Sequence, residues 1–122
     1  MEEVVAAHPV VADCAVVGIA DELKGQVPVG FVTLKSNTLI DPAELERELV
    51  QMIRDHVGPI ASFKRVVVTE RLPKTRSGKI LRRTIRSMAE GQAVEVPSTI
   101  EDPETLSELA ATLGHDLPVQ DN

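Results

Sequence analysis

Residues 71–86 read RLPKTRSGKILRRTIR, the stretch of this chain best suited to act on an anion. Between Lys64 and Arg86 nine Lys or Arg stand against one acid, Glu70, a local balance of +8 inside a chain of formal net charge -6. The remainder therefore carries -14. Segregation on that scale points to a polyanionic ligand for the basic part and a solvated surface for the rest. Four uses compete: a nucleic-acid patch, a nucleotide-gripping loop, a solvated or regulatory basic segment, and a lysine carried on a mobile loop.

Nucleic acid fits poorly, because single-strand binders need stacking platforms and Phe31 and Phe63 are the only aromatics. A duplex-binding helix through Arg82, Arg83 and Arg86 is opposed by the overall acidity. A P-loop is absent: Leu72-Pro73 stand where its first glycine should be, and Ile80 follows Lys79 instead of Ser or Thr. Ser77 lacks the glycine pattern of a nucleophile elbow. His8, His56 and His115 have no Cys or acidic companions at ligand spacing, so no metal site is expected and the three read as structural or solvent-exposed. What remains is Thr75-Arg76-Ser77-Gly78-Lys79, a small-residue loop whose lysine can reach outward as a mobile point charge, or simply lie in solvent.

The elements around that loop follow from pattern. Val4 and Val5 end a short helix that Pro9 stops, and the chain reads like a fragment of something longer. CAVVGI (14–19) and VPVGFVTL (27–34) read as a hairpin across a polar turn with Gly25 at its tip. Pro28 and Gly30 favour an edge or bulged position for the first half of the second strand. Asp41-Pro42-Ala43-Glu44 has the cap, the proline and the returning glutamate of a helix start. Leu45, Leu49, Met52, Ile53 and His56 then share a stripe opposite Arg47, Gln51, Arg54 and Asp55, up to Gly58-Pro59. RVVVTE (65–70) is a third strand, and from Leu81 a helix runs to Gly91 with Arg82, Arg83 and Arg86 on its polar face. Asp102-Pro103 opens a docked helix over 103–113. The expectation is an α+β domain over 1–92, a small sheet with a β-hairpin packed with helices, and a tail over 93–122 containing that short helix.

The chain's 122 residues suit one aliphatic core, with 43% apolar and 26% charged residues. The single Cys14, inside CAVVGI, reads as a small buried thiol. No apolar run is long enough for a membrane span and MEEVVAAHPVV has the wrong charge for a secretory signal, so a cytoplasmic or organelle-matrix location is expected.

LPKTRSGKILRR (72–83) resembles the near-carboxyl motif of the AMP-forming acyl-CoA synthetases, within the adenylate-forming superfamily. AHPVVADCAVVGIADELKGQVPVGFVTL is similar to the start of that family's small C-terminal domain, and IRDHVGPIASFKRVVVTERLPKTRSGKI to its centre. The Gly58-Pro59 to Pro73 spacing and STIEDPETL resemble the acetyl- and propionyl-CoA synthetase branch. The resemblance implies a two-step reaction, in which ATP and a carboxylate form an acyl-adenylate and CoA thiol then displaces AMP. ATP, CoA and Mg serve the full-length enzyme, and none is expected to bind this fragment, which alone should be inactive. Lys79 matches the adenylation lysine, supported by Thr75, Arg76, Ser77 and Gly78, and Arg54 aligns with an arginine that contacts a CoA phosphate. The implied partner is a large N-terminal domain of the same enzyme, against which this small domain rotates between steps. No nucleic acid or membrane partner is implied. Acetylation of Lys79 is implied as a control. The hinge and the glycine-containing loop that precede the equivalent of Glu2 are missing, as is everything that would read the acyl chain. The alternatives are a stand-alone binding or interaction module without catalysis, or a domain of another adenylate-forming enzyme.

Overall fold

The computed structural model describes residues 2–21, 25–58, 63, 65–92 and 94–114. Helix α1 (Glu2–Ala6) leads into strand β1 (Val11–Asp21), which pairs antiparallel with β2 (Gly25–Leu34). Helix α2 (Pro42–His56) then crosses to β3 (Arg65–Val68), which lies parallel to β2. Helices α3 (Arg82–Ala89) and α4 (Glu104–Leu113) complete the α+β fold. The hairpin is as expected, with both strands longer than the apolar runs alone suggested. β3 stops at Val68, short of Glu70.

The three-stranded sheet, in the order β1-β2-β3, is covered on both faces. On one side Val11 and Val32 meet Val5 of α1 and Leu45, Leu49 and Ile53 of α2, with Phe63. On the other, Ala15, Val17, Val29, Phe31 and Val67 meet Ile85 and Met88 of α3 and Leu106, Leu109 and Ala110 of α4. Double coverage explains why the strands read as apolar runs and not as alternations. It also places Val94, Ile100 and α4 in the same core as β1 and β2, so the core continues past residue 92.

A bulge between Val11 and Asp13 reverses the side-chain parity of β1. Val11 therefore joins the α1/α2 core, whereas Ala15 and Val17, also odd-numbered, face α3 and α4. The displaced Asp13 N–H donates to Thr33 Oγ1 at 3.0 Å. Pro28 sits where β2 has a partner on one side only, opposite Gly18 of β1, because pairing with β3 begins at Val29. The first half of β2 is thus edge-like, as its proline requires.

The outer strands present unpaired N–H groups, and glutamates from the helices take them up. Glu2 Oε2 accepts from Val16 N–H at 2.8 Å, Glu90 from Ala20 N–H at 2.7 Å, and Glu46 from Val66 N–H at 2.8 Å. Each bond joins a helix to a sheet edge and places a charge where a foreign strand would otherwise add.

In α2 the Asp41 carboxylate accepts from Ala43 N–H, and Leu45, Leu49 and Ile53 are fully buried as the stripe predicts. His56 departs from that stripe: it is exposed, with Nδ1 turned back 2.8 Å from the Met52 carbonyl. His8 is buried and structural. Its Nδ1 accepts from Val10 N–H at 3.2 Å, which leaves Nε2 as the donor to Glu48 at 3.0 Å. His115 and the segment 115–122 lie outside the described residues.

Candidate functional site

The basic loop is a built hairpin. After β3, Leu72 and Pro73 are buried, and the chain turns back on itself with Lys74 bridged to Ile80. Thr75 N–H donates to the Lys79 carbonyl at 2.8 Å, and Gly78 N–H to the Thr75 carbonyl at 2.9 Å. The Thr75 hydroxyl accepts from Lys79 N–H at 3.1 Å and lies 2.9 Å from Ser77 Oγ. Gly78 has φ +87°, and a Cβ there would meet nothing within 4 Å, so glycine is required by conformation and not by crowding. A turn followed by one left-handed residue is the three-residue hairpin form.

Four cations of this region are engaged within the chain, Arg86 through Glu90 at 3.7 Å and three others across longer stretches of sequence. Lys74 Nζ donates to Asp13 Oδ2 at 2.7 Å, tying the base of the hairpin to the bulge of β1. The Arg71 guanidinium grips both oxygens of Glu108 and also Asp102, at 2.9 Å. Arg82 makes a two-point contact with Glu2. The bond from Arg82 holds the Glu2 carboxyl below its ordinary range, with Val16 N–H assisting against partial burial. Arg71 holds Glu108 low in the same way, whereas Asp102 is held low first by Glu104 N–H and then by Arg71. Lys79 is different. It stands exposed at the hairpin's end, and its side chain makes no ion pair with any described residue.

Thr75, Arg76, Ser77, Gly78 and Lys79 are thus brought together, whereas Arg54 stands apart. It lies on the exposed face of the last turn of α2, in the layer on one side of the sheet. The Lys79 hairpin is anchored through Ile80 and Ile100 to the core on the other side. Cys14 is half-buried with Sγ 3.5 Å from the Glu2 carbonyl; burial first, then the charges of Glu2 and Asp13, push its thiol up and away from reactivity. Sequence reasoning missed the pairing of Arg71 with α4 and of Lys74 with β1, since ion pairs across 31 to 61 residues leave no local pattern.

The family model described as the AMP-binding enzyme C-terminal domain matches residues 1–79, ending on the lysine at the tip of this hairpin. The chain belongs to that family. The mitochondrial acyl-CoA synthetase short-chain family member B of Dictyostelium discoideum is 48% identical over 109 residues, covering 89% of this chain and 16% of that protein. The acetyl-coenzyme A synthetase of Pyrobaculum arsenaticum is 43% identical over 108 residues, covering 88% of this chain and 16% of that protein. Among solved structures, the acyl-CoA synthetase of Brucella canis matches with a TM-score of 0.65 at 32% identity, over 70% of this chain and 16% of that one. This AMP-binding enzyme C-terminal domain therefore spans about a sixth of the length of the relatives it matches. No helix among its described residues is long and apolar enough to cross a membrane.

Proposed function

We propose that this chain is the mobile C-terminal domain of an AMP-forming acyl-CoA ligase acting on a short carboxylate, propionate or acetate. ATP and the carboxylate give an acyl-adenylate and pyrophosphate; the CoA thiol then displaces AMP. Lys79 is the adenylation lysine and Arg54 contacts a CoA phosphate. The observation that carries this reading is the contrast within the basic stretch. Arg71, Lys74, Arg82 and Arg86 are paired within the chain, while Lys79, exposed and unpaired among the described residues like Arg76 and Arg83, is the lysine held out at the end of a braced hairpin.

A preorganised ammonium beside the reacting carboxylate and α-phosphate stabilises the charge developing during adenylation. Withdrawal of the domain then clears the site for CoA. That Arg54 and Lys79 belong to opposite layers of the sheet supports a domain that presents different faces in the two steps. The large N-terminal domain supplies the ATP and acyl pockets. Magnesium would accompany ATP there. Residues 1–92 are the catalytic-domain portion of this proposal and 93–122 its tail, whose α4 packs into the same core, and acetylation of Lys79 would switch adenylation off by removing the charge. A cytoplasmic or organelle-matrix enzyme fits these substrates. The test is a crossed pair in the full-length protein: Lys79→Ala should impair adenylation alone, and Arg54→Ala only the use of CoA.

A further inference from the structure

The Lys79 hairpin does not stand by itself. Its first strand, residues 74–76, is paired on the far side by a segment from the tail. Arg76 N–H donates to the Thr99 carbonyl at 3.0 Å, Glu101 N–H donates to the Lys74 carbonyl at 2.9 Å, and Thr75 bridges Ile100. Residues 79–80, 74–76 and 99–101 thus form a second, three-membered ladder, set apart from the main sheet. A two-stranded hairpin alone is marginal in water, whereas a third strand with a buried side chain makes it hold. Ile100, 4% exposed, provides that side chain. The segment is fastened at its end by Arg71, three residues before Lys74, whose guanidinium spans Asp102 and Glu108.

We propose that residues 99–102 are a strap that positions the Lys79 hairpin, and that Arg71 is the positioning residue that holds the strap closed. Lys79 carries its charge at the end of a flexible side chain, so the accuracy with which the ammonium meets a transition state depends on the backbone beneath it. Two of the hairpin's backbone groups, Arg76 N–H and Lys74 C=O, are satisfied only through the strap. Arg71 closes the loop between the hairpin's entry and the start of α4, and its bidentate grip on Glu108 fixes orientation as well as distance. Releasing it leaves the Lys79 side chain chemically intact but loosens the backbone that aims it. This inference rests on the reading of Lys79 as the adenylation lysine, but the strap itself can be tested apart from it.

The experiment compares Arg71→Ala and Arg71→Lys in the full-length protein by amide hydrogen exchange and by single-turnover assays of both half-reactions. With Arg71→Ala, exchange at the Arg76 and Glu101 amides should rise, and acyl-adenylate formation at saturating ATP should fall about tenfold, within the range that small misplacements of reacting groups produce. Thioester formation from supplied acyl-adenylate and the KM for ATP should stay within about twofold, as for a group outside both pockets. Arg71→Lys, which keeps the charge but not the fork, should lie between. Unchanged exchange at Arg76 and Glu101 overturns the strap. Raised exchange with unchanged adenylation overturns the positioning role, as does a parallel fall of both half-reactions with a lowered Tm, which marks a merely structural residue. If Lys79→Ala leaves adenylation intact, the reading of Lys79 fails, while the exchange data still decide whether the strap exists.

Discussion

Gly30 offers a test of the packing that aligns the whole sheet. It lies in β2 between Val16 of β1 and Val66 of β3, where a glycine weakens a strand. A Cβ built there would stand 2.9 Å from Phe63 Cζ, 3.2 Å from Cε2 and 3.8 Å from Val66 Cγ2. Carbon atoms in contact prefer about 3.5–4.0 Å, so the ring must retreat by at least about 0.5 Å. It has little room, being 4% exposed and packed in the cluster with Leu45, Leu49 and Ile53. Overpacking of this kind costs about 1–3 kcal/mol, against which alanine recovers roughly 0.5–1 kcal/mol of backbone entropy. The net for Gly30→Ala is a loss of up to about 2.5 kcal/mol, or a fall in Tm of up to roughly 10 °C for a domain of this size. Differential scanning calorimetry measures it. Phe63→Leu should relieve the clash, so the double variant should be more stable than the sum of the single effects predicts, by about 1 kcal/mol. Strictly additive effects would refute the close approach of Phe63 to the strand.

Glu2 carries the pH prediction: its folded-state carboxyl is depressed by Arg82 and Val16 N–H, so its contribution is complete above its ordinary value of 4.5 and is lost as pH falls through the folded value. Glu2→Gln should therefore flatten the fall of Tm between about pH 5 and 3, a range set by the usual carboxylate values, and an unchanged slope would count against the pairing. Leu109→Ala empties a fully buried site beneath α4 and should cost about 2–5 kcal/mol by urea denaturation; a value near zero would mean that α4 is not part of the core. Arg54→Ala in the full-length protein should raise the KM for CoA by the equivalent of about 1.5–3 kcal/mol while that for ATP holds, and equal shifts in both would point to misfolding.

Local signals were legible in the sequence where one short stretch decides the outcome. Asp41-Pro42 marks the start of α2, Gly25 and Gly114 mark turns that need a left-handed residue, and Ser77-Gly78 marks an exposed turn beside Lys79. The docked helix after Asp102-Pro103 forms from Glu104, with the Asp102 carboxylate accepting Glu104 N–H. Pairings between distant segments were not legible. The parallel register of β3 on β2 depends on contacts across the α2 crossover, and the parity reversal at the β1 bulge costs one residue with no compositional mark. The strap at 99–101 was hidden for the same reason: STIEDPETL shows a helix start, but nothing in it says that Thr99 and Glu101 pair with Arg76 and Lys74. His56 was misplaced because the helical stripe includes it, whereas its ring turns back to the Met52 carbonyl and stays exposed.

The central claim is that Lys79 serves one half-reaction and not the other, and single-turnover kinetics of Lys79→Ala in the full-length protein tests it most directly. Acyl-adenylate formation from ATP and propionate or acetate should fall at least about a hundredfold, the scale for losing one preorganised electrostatic contact. Thioester formation from supplied acyl-adenylate and CoA should persist at the parent rate. A loss shared equally by both steps, or by neither, would contradict the account and return Lys79 to an ordinary solvated cation.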